Sequence, residues 1–537
     1  MNQLTTCFAC VANSTLIFLC IFFFSCQKNN PSGDQLGRVN ITISGDEAAL
    51  PHFEKGLLLL HSFEYRDASD EFLKAQEIDP FMSMAYWGEA MTYNHCLWQE
   101  QDYDRGVAAL NRLKLLNNQH EISDLEKDFI RSAEILYDPE KPKNIRDEEY
   151  AAYLSKMHLK YPSNHEVASF YALALLGSVQ EGRDDVIYGK SAVVSKSVIE
   201  ENPEHPGALH YLIHAYDDPY HAAMALDAAD SYSKVAPDAS HALHMPSHIF
   251  VALGMWDRVV ASNEDSYQAS LNRMERKKLS NDARGYHAYH WLEYGYLQQG
   301  RIDEARKLVE DMMKYVQETP SVRGRKHLIF LKGTFLVETN LWDDSIADIE
   351  VEINEINVAV RAQYRFLEGM KAYKRQDGSA LEKLIEDIRL DYEEEALLLQ
   401  ETDITICVDL DSESATRTNI NESRIMEFQL RALKAWSDEN NQEAEAWLKR
   451  STELEDSLSY SYGPPFIQKP THELYAEWLM TNNRMEEAIH QYDLTLERAV
   501  NRKMALEGRR IATDLLNSPR VSHGLKLLDI QDGNNLL

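Results

Sequence analysis

Cysteine is scarce in this chain: six occur among 537 residues. Cys7, Cys10 and Cys20 fall in an apolar N-terminal stretch that reads as a removable leader. The remainder keeps Cys26, Cys96 and Cys407, which excludes a disulfide framework and leaves open at most one internal bridge, Cys96–Cys407. Basic residues are short too. Lys and Arg number 55 against 87 Asp and Glu, a formal net charge of −32. A surface so acidic offers no Lys/Arg stripe for a phosphate backbone, so no nucleic-acid partner is expected. The apolar run Leu16–Phe24 is too short to cross a bilayer. Also missing are a G-x-G-x-x-G after a strand, a P-loop, a G-x-S-x-G elbow and an H-E-x-x-H pair. The familiar enzyme fingerprints are thereby excluded.

What is present is globular: 44% hydrophobic residues with 26% charged. The length exceeds one ordinary domain unless the core grows by stacking repeats. At the N-terminus the apolar run ends in Phe23-Phe24-Ser25-Cys26, followed by polar Gln27-Lys28-Asn29-Asn30. This resembles the lipobox of bacterial lipoproteins, although Met1–Ser25 contains no Lys or Arg. The resemblance implies a lipoprotein signal peptide over 1–25, acylation of Cys26, and a polar linker over 26–46. It also implies attachment to the outer membrane, facing the periplasm or the surface. More than one acyl chain gives a stable tether for a soluble body.

The first clear repeat lies in Leu50–Pro80. Gly56 and Ala68 are small where two antiparallel helices touch, Phe72 fills the space toward the next unit, and Ala75 and Pro80 complete the spacing. Similar units recur around Tyr86 and Ala90, at Asn164–Leu176 with Asp184–Glu201, and in Tyr289–Ala305. Further ones are expected at His327–Glu350, Arg361–Ile388, Arg424–Leu454 and His472–Glu497. Ser123-Asp124-Leu125-Glu126 predicts a capping box, and Pro246 a helix start. These spacings resemble the tetratricopeptide-repeat (TPR) family. The resemblance implies an all-α, right-handed superhelix of antiparallel helical hairpins. Repeats are expected over 47–390 and, with a cap, over 421–516; an irregular acidic insertion with a strand-like Thr402–Val408 over 391–420; and a tail over 517–537.

The richest stretch is His205–Trp256, which carries seven of the nineteen histidines. If Pro206 and Ser240 open two units, 34 residues apart, then His210 and His244 share position five and His214 and His248 share position nine. A third unit opened at Tyr286 places His290 and Tyr294 at those positions. The TPR resemblance implies that positions two, five, nine, twelve and thirteen line the concave groove. The groove candidates are therefore His210, His214, Asp217, Asp218, His241, His244, His248, His287, His290 and Tyr294.

Spacing of three or four residues sets each pair on one helical face, as in histidine pairs that share a metal. Three readings stay open. His210, His214, His244 and His248, together with His290 and with Asp217, Asp218 or Glu293 nearby, could hold zinc, with Glu293 or Asp218 as base of a metal-dependent hydrolase. They could be packed histidines bonded to one another and to backbone. Or the groove could bind a peptide or sugar against Tyr211, Tyr216, Trp256, Tyr286 and Trp291. The sequence points first to a non-catalytic binding or scaffold lipoprotein that needs no cofactor and takes a protein or extended ligand in its groove. Its architecture is similar to that of lipid-anchored proteins of polysaccharide-utilisation systems, which implies an accessory role in using a polymer such as ulvan. It lacks the long loop-rich insert of the SusD-like members.

Overall fold

The computed structural model describes residues 35–116, 121–180, 182–401 and 415–517. Among them the chain is all-α, a succession of helical hairpins running from Leu50–His61 with Tyr65–Ile78 to Met485–Arg498 with Lys503–Asn517. Extended pairing among the described residues is confined to Asn94–His95 against Glu100–Gln101.

The small-residue logic of the repeats holds in three dimensions. A Cβ on Gly56 would lie 2.8 Å from the Phe72 ring, and one on Gly88 would lie 2.4 Å from the same ring. Phe72 is thus wedged between its own hairpin and the next, with Ala68 and Ala75 fully buried beside it. Ser123 and Glu126 form the expected capping box. Pro246 opens its helix, Pro246–Ala252, at the first position, where its missing N–H costs nothing.

The array winds back on itself. Arg273 forks onto Asp67, 206 residues away. The Tyr232 hydroxyl donates to Ser62 Oγ at 3.2 Å, and Trp256 Nε1 donates to the Asn501 carbonyl at 3.0 Å. The first hairpin therefore lies against the central repeats, and those repeats lie against the last ones. Between Asn441–Ser457 and Thr471–Thr481 the chain is non-helical and runs across three earlier helices. There Gln468 Nε2 donates to the Phe330 carbonyl (3.0 Å), and the Phe466 carbonyl accepts from Gln363 Nε2 (2.6 Å). Gly463 is required at its bend, because its φ is +103° and a Cβ would fall 2.3 Å from the Trp291 ring.

Several boundaries differ from expectation. Residues 35–46 of the expected linker are docked: Leu36 and Val39 are buried, and Arg38 N donates to the Glu204 carbonyl at 2.8 Å. Of the expected insertion over 391–420, residues 391–401 continue the helix Gly378–Glu401 and Arg417 opens the next, Arg417–Ser437. Arg361 holds Asp391 at 2.6 Å, which keeps that acidic turn helical. Thr402–Val408, with Cys407, lies wholly in 402–414, outside the described residues, as do 1–34 and 518–537. Cys96 is a buried free thiol. The expected hairpin His327–Glu350 has one true arm, Val322–Thr339; its second is only the 3-10 turn Ser345–Asp348. Asp344 caps that turn at Ile346 N and is itself clamped by Arg306, which favours a turn over a helix.

Candidate functional site

The helix Pro206–Ala215 carries His210 and His214 one turn apart. The short helices Ser240–His244 and Pro246–Ala252 carry His241, His244 and His248, and Tyr286–Gln298 carries His287. The coil of the array brings them together in its interior. His210, His214, His244 and His248 are 0, 6, 2 and 3% exposed. His241 is partly buried and His287 exposed at the edge of the cluster. One potential donor atom from each of His210, His214 and His241 lies within 4.8 Å of the others, and the same is true of His244, His248 and His287.

The outer nitrogens are anchored. His210 Nδ1 donates to the His61 carbonyl at 2.8 Å. His244 Nδ1 donates to Asn263 Oδ1 at 2.7 Å, and the Asn263 amide is fixed the right way round by its own bond to the Val259 carbonyl. His214 Nδ1 and His248 Nδ1 both donate to Asp217 Oδ2, at 3.2 Å each. With Nδ1 protonated, each Nε2 presents a lone pair. Those of His214 and His244 are buried with no hydrogen-bond partner. His210 Nε2 and His241 Nε2 stand 3.2 Å apart, a separation that either a proton or an ion must bridge. Buried acceptors left without donors are costly, whereas imidazoles whose outer N–H is tied to oxygen are arranged as metal ligands are.

The surroundings favour the neutral form of His210, His241, His244, His248 and His287. Burial foremost, then the neighbouring imidazoles, hold His210 well below its ordinary range and push His244 down to about 3. Burial alone would raise the Asp217 carboxyl; the hydrogen bonds from His214 and His248 outweigh it and keep it ionised. Phe63 packs on His210 with ring centroids 4.3 Å apart, and Trp291 stacks on His248 at 4.6 Å. On the other side Tyr462, from the C-terminal connector, lies 5.0 Å from His248 and borders a cavity of about 640 Å³. Asp217, Asp218, Arg183, Trp256 and Tyr460 also line it. Clustered imidazoles with unpartnered Nε2 atoms suit zinc, copper, iron or nickel, so the residues present fit a transition-metal ion.

A second histidine cluster shows the contrast. His61, Glu166 and His205 are fully buried and close enough to share an ion. Yet Glu166 accepts from His61 Nε2 (2.7 Å) and His205 Nε2 (3.1 Å), while His61 Nδ1 meets the Tyr211 hydroxyl (2.8 Å) and His205 Nδ1 accepts from Ala208 N (3.1 Å). Every ring nitrogen there is satisfied, and the cluster is a structural knot that sets the His61 carbonyl under His210.

No protein-family model matches the chain, and no curated protein matches it. Similar solved structures include yeast Tom70, at 11% identity over 90% of this chain and 92% of that one with TM-score 0.32. Human IFIT1 with PPP-AAAA is similar at 13% identity over 88% and 96%, with TM-score 0.37. The TPR domain of P58(IPK) matches at 14% identity over 87% and 98%, with TM-score 0.19. The fold is TPR-like. At such TM-scores the likenesses carry no argument, and both the hairpin array and its site stand on their own residues.

Within the TPR-like array the sequence-derived candidates separate. Six histidines and Asp217 converge. Asp218 is committed elsewhere, accepting from His221 Nδ1 at 2.8 Å and pairing with Arg183 at 3.1 Å. His290 bonds Thr334 Oγ1 at 2.9 Å and stacks on Phe330. The Tyr294 hydroxyl accepts from Arg502 at 3.3 Å. Glu293 is fully buried, and burial raises its carboxyl far above the ordinary range, so it is held as the neutral acid. Neither Asp218 nor Glu293 is thus a poised base. Four of the histidines first expected as a single metal set divide between two sets, completed by His241 and His287. The expected open groove is here a packed interior, because the first hairpin and the C-terminal connector close over it. Phe63, Asn263 and Tyr462 carried no repeat signal that would have marked them.

Proposed function

We propose that this protein is a lipid-anchored, TPR-like binding protein whose central chamber holds transition metal on imidazole ligands. The observation that carries the reading is the pair of buried, partnerless Nε2 atoms of His214 and His244, each on a ring whose Nδ1 is anchored to oxygen. The cavity on the far side of Asp217 and Tyr462 supplies space for part of an extended partner. The body from Gln27 onward, purified without a histidine tag, is expected to contain transition metal by elemental analysis. A variant with His210, His214, His244 and His248 changed to Ala is expected to lose it while keeping its helical circular dichroism. Absence of metal from the unaltered body after incubation with zinc or copper overturns the reading.

The anchor is supported by the Phe-Phe-Ser-Cys26 junction after the apolar run. In a bacterial host, Cys26→Ser is expected to shift the protein from the membrane to the soluble fraction. Equal partition of the two forms removes the anchor, and with it the outer-membrane location, from the proposal.

A further inference from the structure

We infer that the histidine ladder is a paired centre for two copper-class ions, assembled twice by one rule across successive repeat junctions. The inference rests on the metal-binding reading above and extends it to number, ligand set and kind of ion. With Pro206, Ser240 and Tyr286 as first positions, position two is Gly207, His241 and His287; position five is His210, His244 and His290; position nine is His214, His248 and Tyr294. The first set takes positions five and nine of the first unit, His210 and His214, and position two of the second, His241. The second set repeats this one step along, with His244 and His248 from the second unit and His287 from the third. The structure brings the donor atoms of those same two triplets within 4.8 Å of one another, and joins them through a third close group, His214, Asp217 and His248.

The rule also explains where the ladder stops. Before the first set, position two is glycine. After the second, position nine is Tyr294, whose hydroxyl is taken by Arg502. Within the ladder the two halves are tied: Asp217 Oδ2 accepts from the position-nine imidazole of each set, at 3.2 Å in both cases. That single carboxylate supplies negative charge between the halves while leaving both Nε2 atoms to the ions. Metal–imidazole bonds of roughly 2.0–2.1 Å set ligand nitrogens within about 4 Å of one another, and the donor atoms of each triplet already lie within 4.8 Å, so small side-chain adjustments gather three rings on one ion. Neither triplet contains a carboxylate or a thiolate. All-imidazole donors with vacant positions favour copper, which heads the affinity order for divalent ions at nitrogen sites.

The test uses the full body loaded with copper or zinc under identical conditions and then desalted. Two coppers per chain are expected, retained against zinc in a mixed titration. His214→Ala and His248→Ala are each expected to lower this to one, and the double variant to none, with circular dichroism unchanged. Electron paramagnetic resonance of the Cu(II)-loaded body is expected to show less than two uncoupled spins per chain, while either single variant gives a full one-spin signal. One ion per chain in the unaltered body overturns the pair and leaves the metal-binding reading standing. None overturns both. Two zinc ions with copper excluded overturns the assignment of the metal.

Discussion

Arg502→Met is expected to cost about 3–5 kcal/mol, the range for removing one partner of a buried ion pair and stranding the others. Arg502 is completely buried. Its Nε donates to Glu473 Oε2 at 2.8 Å, and its Nη1 bonds both Glu338 and the Tyr294 hydroxyl. Lys469 holds the other Glu473 oxygen at 2.7 Å. Burial would raise the Glu473 carboxyl, but Arg502 and Lys469 outweigh it and hold it at about 2. Glu338 goes the other way, because its desolvation exceeds what Arg502 returns. Without the guanidinium the two carboxyls face each other in the interior, and one must take a proton or admit water. Chemical denaturation read by circular dichroism gives the cost. Adding Glu338→Gln to Arg502→Met is expected to recover part of it. A loss below about 1 kcal/mol, the scale of an exposed pair, contradicts the account.

The metal-stripped body is expected to lose stability steeply as pH falls below about 6.5, well before ordinary carboxylates begin to titrate. The sign follows from the histidines. In the fold, burial foremost pushes His244 down to about 3 and lowers His210 and His248. In the unfolded chain the same rings titrate near 6.5. Between these values the unfolded chain binds more protons, so stability falls with pH and levels off near 3. His244 subtracts on the order of 1.4 kcal/mol per pH unit across that window, and His210 and His248 add to the loss in the same direction. A metal ion on the same lone pairs competes with the proton and moves the loss to lower pH. Urea midpoints from pH 7.5 to 5.0, with and without bound metal, measure both effects. A flat profile for the stripped protein from pH 7 to 5 contradicts the expectation.

The fold was legible because each repeat writes its packing locally. Gly56, Ala68, Phe72 and Pro80 lie within one hairpin and its immediate neighbour. The ladder was legible for the same reason: a fixed step put His210 over His244 and His214 over His248. What could not be read is whatever the coil brings from afar. His61 and Phe63 come from the first hairpin and Tyr462 from the last connector. No local spacing relates them to the histidines they press on. Hence the interior was expected as an open groove, and the division into two triplets was hidden, since His241 and His287 count only once adjacent repeats are stacked. The Arg502 network escaped for the same reason: Glu338, Glu473 and Tyr294 sit on three different helices.

A triplet drawn from two neighbouring repeats belongs to the boundary between them and to neither one. Its capacity is therefore set by counting boundaries that carry histidine at two, five and nine, and only a copy of the second hairpin, with His241, His244 and His248, would add a complete site. By the same count an excised hairpin keeps at most two of the three ligands, so ion retention reports whether the stack of repeats is intact.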